Sequence, residues 1–287
     1  MTAATVTAPG TAPAPRRAPL GRVLRSELRW VFRRPRTIIA IALLAITPIA
    51  IGVGTLFAEG GVNEQGESPM VSMAINNALA LPIVSLGMMM VFLLPLVSSM
   101  SAADAIAGEA ANGTLRGLML APVSRTRLLG VKAFGVAAVT LATTVLMAVI
   151  GLITGLLING TNTMITLSGT TLSFGDAVGR IGFAVVWVTV QMLAVAAVAL
   201  AVSTTTEHPM VVMAAVMGGL IVFGILGTIS ALDWLHPVLL SDSWESLPDL
   251  LRDPISWGGM GEGLIRAGCY IAIGYSLALA RMSTKDG

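Results

Sequence analysis

Six long apolar segments dominate the pattern of hydrophobic and polar positions along this 287-residue chain. A helix needs about 20 residues to cross a hydrocarbon core of about 30 Å, and each segment is long enough to do so. Backbone polar groups must be satisfied within lipid and the runs lack strand-like alternation, so they indicate helices. The pattern predicts an all-α membrane protein with six transmembrane helices, near residues 37–57, 80–101, 131–157, 181–202, 210–231 and 264–281.

An amphipathic segment precedes the first span. Apolar side chains fall on one helical face, with arginines on the opposite face, as in helices that lie in the membrane interface; the apolar set is Leu20, Val23, Leu24, Leu28 and Val31. Residues 1–19 are rich in proline, alanine and threonine and are predicted to be disordered. The predicted organisation is a tail (1–19), an interfacial elbow helix (20–36) and a six-span transmembrane domain (37–287).

Glu27 is the exception on the apolar face of the elbow helix. An unpaired carboxylate in that position is unfavourable, because a charge removed from water needs a partner. We therefore predict that Glu27 pairs with a basic residue of a neighbouring element, Arg116 or Lys132.

The longest polar interruption on the cytoplasmic side, residues 103–132, separates the second and third spans. Ala102 to Ala111 permits a helix, and Gly113 stands where a C-cap residue would end it. Thr114 can then cap a short turn before Pro122, and Ser124 is a natural N-cap for the next span. The loop therefore predicts a short helix across the mouth of two spans, with an apolar side formed by Leu115, Leu118 and Met119.

Composition indicates a membrane protein, and the distribution of basic residues predicts its orientation in the membrane. The chain is 55% hydrophobic and 11% charged, with a mean hydropathy of +0.86, whereas soluble domains carry roughly 25% charged residues. Fourteen of the 17 basic residues precede the first span, lie in the loop 103–132 or follow the last span. Basic loops stay in the cytoplasm, so both termini are predicted to be cytoplasmic. The net charge of +2 gives no indication of nucleic-acid binding.

Several kinds of chemistry have no motif in this sequence. It contains no GxxxxGK[ST] phosphate loop, no HExxH and no GxSxG, and its one cysteine, Cys269, is interpreted as a small buried apolar side chain. The middles of the six spans carry no ionisable residue, unlike those of ion-coupled carriers. We expect no catalytic residue, cofactor site or metal site in this chain. Any energy it uses must come from another protein.

Two segments carry a resemblance to a known family. Glu109-Ala-Ala-Asn-Gly-Thr-Leu-Arg116, followed by Pro122-Val-Ser-Arg125, Leu128-Leu129 and Lys132, resembles the E-x-x-x-G-T-L-R … P-V-S-R … K pattern of type-2 ABC-transporter permeases. SELRWVFRRPRT resembles the elbow helix of that family, with matches at Glu27 and Arg33–Pro35. The remaining spans match in hydropathy alone.

The resemblance implies a permease subunit energised by two separate ABC ATPase subunits, which bind the ATP and magnesium. It also implies a second permease half, identical or paralogous, and a place in the bacterial cell membrane. Export of an amphiphilic or hydrophobic drug, antibiotic, lipid or peptide is the expected activity, and a non-transporting scaffold or sensor is the alternative. The implied docking residues are Glu109, Gly113, Thr114, Leu115, Arg116, Leu118 and Met119, and those of the elbow helix are Glu27, Arg29 and Arg33.

Methionines suggest where a substrate could pass. Their flexible thioethers adapt to varied apolar ligands, and two groups lie in the second and fifth spans: Met88, Met89, Met90, Met213 and Met217. Ordinary helix packing is the alternative explanation. The sequence does not identify the substrate.

The basic-residue asymmetry makes a prediction about topology. Single cysteines placed at Gly61, Ser243 and Ser283 should react differently with a membrane-impermeant reagent in intact cells. The first two should be labelled from outside and Ser283→Cys should be protected until the cells are opened. External labelling at position 283 would reverse the topology.

Overall fold

The computed structural model describes residues 19–58, 77–113, 124–160 and 163–284. Within these ranges the chain is helical apart from one small β-hairpin and the turns that connect the elements. The α-helices are α1 (Leu20–Val31), α2 (Pro35–Ala58), α3 (Leu81–Met90), α4 (Leu93–Ala111), α5 (Arg125–Asn159), α6 (Phe174–Ser203), α7 (Pro209–Gly227) and α8 (Trp257–Thr284). Antiparallel strands β1 (Met164–Ile165) and β2 (Thr171–Leu172) precede α6, and two 3₁₀ helices (Ser230–Leu235 and Leu240–Leu251) precede α8.

The second predicted span is broken. Helices α2, α5, α6, α7 and α8 are each long and apolar enough to cross a membrane, whereas α3 and α4 pass that test only together and are bent by 60°. The span predicted near 80–101 therefore corresponds to two helices that meet at a bend. Pro95 lies in the first turn of α4 and has no N–H to donate to the carbonyl of Val91, so the helix is interrupted there.

The helices extend beyond several predicted boundaries. α5 begins at Arg125, α6 at Phe174 and α8 at Trp257, because polar residues continue a helix out of the apolar region. α4 runs to Ala111, so the helix predicted over Ala102–Ala111 continues directly from the second span. Gly113 follows it with φ of +69°, which confirms the predicted helix stop at this glycine.

Pro48 lies inside α2, which continues through it. Proline cannot donate to the carbonyl of Leu44, four residues earlier. The Thr47 hydroxyl donates to that carbonyl instead, at 2.7 Å. A carbonyl that would otherwise be unsatisfied in lipid thus keeps a hydrogen bond.

α6 is the central helix of the core. It packs against α8 and α4 most extensively and also against α5 and α7. Close contact with α8 depends on Gly274, where a Cβ atom would lie 2.7 Å from the backbone of Ala197. Gly155 of α5 similarly allows the backbone of Ala78 to approach. Small residues of this kind are common where membrane helices pack closely.

Cys269 is exposed on α8, which corrects the prediction that its side chain is buried. Only 22% of the most apolar window of α8 is buried within the protein. In lipid an apolar side chain needs no protein cover, so burial does not follow from hydrophobicity there.

Charged residues organise the end of the molecule that carries the hairpin and the 3₁₀ helices. Arg180 of α6 forms an ion pair with Asp253 at 3.2 Å and donates to the carbonyl of Leu250 at 3.0 Å. The hairpin joins the same assembly, since the amide of Leu167 donates to the carbonyl of Leu251.

Ser243 is buried at 4% exposure, so exposed Glu245 is the better position for the labelling experiment on this segment.

Candidate functional site

The elbow helix α1 docks on α5 through the face that carries Glu27. Glu27 and Val31 are the buried residues of α1. Both reach Gly135 of α5, where a Cβ atom would lie 3.1 Å from Cγ of Glu27. Arg29 on the other face of α1 and Arg33 in the turn that follows are both exposed. The part of this face around Glu27 and Val31 therefore packs on protein, with the carboxylate inside the contact.

Lys132 of α5 holds that carboxylate. Its Nζ donates to Glu27 at 3.0 and 3.1 Å and also to Oε1 of Glu109. The ammonium group has three donors and meets three carboxylate oxygens. Of the two predicted partners of Glu27, Lys132 is confirmed, while Arg116 lies outside the described residues.

Arg34, in the turn between α1 and α2, adds a second cation. Its guanidinium lies 3.8 Å from Asp104 and 3.9 Å from Glu109, and it donates to the Asp104 carbonyl at 3.4 Å. Burial lowers the pKa of Arg34 from its ordinary value, while the two carboxylates oppose that shift. The guanidinium remains charged in either case.

Trp30 covers the two cations. The guanidinium carbon of Arg34 lies 3.2 Å from the centre of the indole ring, and Nζ of Lys132 lies 4.6 Å from it. Both distances permit cation–π attraction. We call Glu27, Arg34, Asp104, Glu109 and Lys132 the buried ion cluster.

The buried ion cluster joins α1, α4 and α5 at one level of the molecule. Glu109 lies near the end of α4 and Lys132 near the start of α5, on either side of residues 114–123. α4 is also tied to α6, because the Ser203 hydroxyl donates to the Ala103 carbonyl and accepts from the Ala107 amide. Both ends of the predicted docking loop are therefore fixed to the elbow helix and the helical core.

The sequence anticipated part of this arrangement. Glu27, Glu109 and Gly113 lie at its centre or edge, while Thr114, Leu115, Arg116, Leu118 and Met119 lie outside the described residues. Sequence reasoning missed Arg34, Asp104 and Trp30 as members or neighbours of the cluster. The sequence did contain a signal for the two acidic residues of α4, since Asp104 and Glu109 interrupt a run of small residues that favours a helix.

A cavity of about 440 Å³ lies beside the break between α3 and α4. We call it the outer cavity, because the basic-residue asymmetry predicts that this end of the molecule faces away from the cytoplasm. Its lining comes from the α3–α4 break, α7 and the second 3₁₀ helix. Of the predicted pathway methionines, only Met217 lines it; Met88 is exposed, Met89 and Met213 are half-buried, and Met90 is buried.

Taken together, these features define a multi-pass helical membrane protein whose polar loop is anchored by a buried charge network. No group of acidic, histidine or cysteine side chains that could hold a metal ion occurs within the described ranges. A family model described as ABC-2 family transporter protein matches residues 22–246. The chain therefore belongs to the ABC-2 transporter family, as the resemblance indicated. The comparison with curated proteins gave no match.

The buried ion cluster makes a prediction about stability. Lys132→Met leaves Glu27 and Glu109 buried without their shared cation, and breaking a buried pair typically costs about 3–5 kcal/mol. The thermal unfolding midpoint of the purified chain in detergent should fall by several degrees. Glu27→Gln should have a milder effect, because its amide still accepts a hydrogen bond and Lys132 keeps Glu109.

Arg22→Met is the matched control, since it removes one positive charge from the exposed face of α1. Its midpoint should stay close to that of the wild type. Equal midpoints for Lys132→Met and Arg22→Met would show that the cluster contributes nothing to stability.

Proposed function

We propose that this chain is the membrane permease subunit of an ATP-driven exporter, energised by separate ABC ATPase subunits that dock on the loop between α4 and α5. The observation that supports this proposal is the anchoring of both ends of the loop by the buried ion cluster. A loop that receives force from an ATPase needs such attachment, because a loosely tethered loop would absorb the motion itself.

The buried ion cluster suggests how movement of the ATPases is transmitted from the loop to the helices. Glu109 and Lys132 flank the loop and contact each other, and Lys132 also donates to Glu27 of α1. Separating these charges inside the protein is costly, so α1, the end of α4 and the start of α5 move as one unit. The Ser203 bridge extends that unit to α6. ATP-driven closure of the ATPases would thus act on four helices through one docking loop.

The remaining parts of the proposal rest on the family and on the sequence. Each complex has two ATPases, which bind ATP and magnesium, and two permease halves, identical or paralogous. Both termini lie in the cytoplasm of a bacterial cell whose membrane holds the complex. The substrate is an amphiphilic or hydrophobic molecule, and the chain has no nucleotide site of its own.

The absence of a phosphate-loop motif predicts that the isolated chain does not bind nucleotide. Equilibrium dialysis of the purified chain with radiolabelled ATP and magnesium should show no saturable binding. The same experiment on the complex with its ATPase should show about two nucleotides per permease pair. Stoichiometric binding to the isolated chain would contradict the proposal.

The docking loop makes a prediction about assembly. Burying Leu115, Leu118 and Met119 against an ATPase would contribute roughly 1.5–3 kcal/mol each before ordering costs. Leu118→Asp should therefore abolish pull-down of the ATPase or stop its stimulation by substrate. The chain itself should stay folded, because residue 118 lies outside the apolar spans.

Ala231→Asp, at an exposed position between α7 and α8, is the matched control and should assemble normally. Glu109→Ala should reduce transport more than pull-down, since its charge fixes the position of the loop. Normal pull-down and stimulation with Leu118→Asp would move the docking site to the connection 203–209. Assembly without stimulation by any transported compound would favour the scaffold or sensor alternative.

A further inference from the structure

The outer cavity combines an apolar wall with a polar one. The α3–α4 break and α7 supply mostly apolar side chains, including Val91, Met217 and Ile221. The second 3₁₀ helix supplies Ser241, Asp242, Trp244 and Glu245. Ligand sites commonly have volumes of about 300–1,000 Å³ and a few placed polar groups, and this cavity of about 440 Å³ falls in that range. Its two walls match an amphiphilic molecule.

The charged lining residues of this cavity are both acidic. Asp242 is already compensated, since it forms an ion pair with Arg266 at 3.1 Å and lies 3.3 Å from Nδ1 of His236. Glu245 is exposed and forms no ion pair with any residue in the described part of the chain. The polar wall therefore carries uncompensated negative charge, which favours a cation and disfavours an anion.

Three aromatic residues line the same cavity: Phe92, Phe223 and Trp244. Aromatic faces attract cations, and tryptophan does so most strongly.

We infer that the outer cavity binds lipophilic cations, with the apolar body of the ligand against α7 and the α3–α4 break and its positive charge near Glu245 and Trp244. As the substrate class of the permease, this assignment rests on the proposed function. The binding itself needs no ATPase. Glu245 selects by charge, and the aromatic side chains accept ligands of varied shape.

Tetraphenylphosphonium and tetraphenylborate test the charge requirement, because they share size and shape and differ in sign. Equilibrium dialysis of each radiolabelled ion against the full chain in nanodiscs of neutral lipid, with empty nanodiscs subtracted, measures saturable binding. We expect the phosphonium ion to bind saturably and the borate not to. Glu245→Gln should weaken phosphonium binding about fivefold, the scale of a partly exposed charge contact.

Glu262→Gln is the matched control, because Glu262 is an exposed carboxylate near the start of α8 that does not line the outer cavity. It should change phosphonium binding by less than about twofold. Trp244→Phe keeps an aromatic ring but removes the indole, and it should weaken binding about two- to threefold. Unaltered thermal midpoints of the variants would show that the fold is intact.

Equal phosphonium affinity in wild type and Glu245→Gln, or saturable borate binding of similar affinity, would overturn the assignment. These results concern the ligand class alone, since the ATPase is absent from the measurement. Conversely, failure of the ATPase pull-down with the wild-type chain would remove the transport role and leave the phosphonium result as it stands.

Discussion

A charge that has been removed from water needs an opposite charge or hydrogen-bond partners within the protein. This requirement determines how the helices meet at the end of the molecule that carries α1. Three carboxylates and two cations come from α1, the turn after it, α4 and α5, and the least exposed of them, Glu109, shows only 3% of its surface. Each of these elements would leave a buried charge behind if it moved alone. The helix ends on either side of residues 114–123 are held in this way, because Glu109 and Lys132 belong to the cluster.

Helix α4 connects the two sites described above. It starts beside Phe92 at the outer cavity and ends after Glu109 in the buried ion cluster. Its 19 residues correspond to a rod of about 28 Å. The break at Val91–Phe92 separates this rod from α3 and lies at the level of the cavity.

The sequence predicted the membrane class, the helix stop at Gly113 and a basic partner for Glu27 (Arg116 or Lys132), because each follows from a local rule or from one conspicuous charge. It did not predict the broken span, since hydropathy averages over Pro95 and cannot distinguish a bend from a straight helix. Asp104 and Arg34 were missed because their burial depends on how three helices meet. The outer cavity likewise depends on tertiary packing, which brings the second 3₁₀ helix over the α3–α4 break.

Trp30 has a consequence for how firmly the elbow helix is held. Dissolved salt screens charges that face water over about 8 Å at physiological ionic strength, but it acts much less on buried pairs. The indole lies over Arg34 and Lys132, and the Lys132 side chain is only 6% exposed. We therefore expect the attachment of α1 to depend little on ionic strength. A peripheral helix held only by lipid head groups would instead be released by a concentrated salt wash.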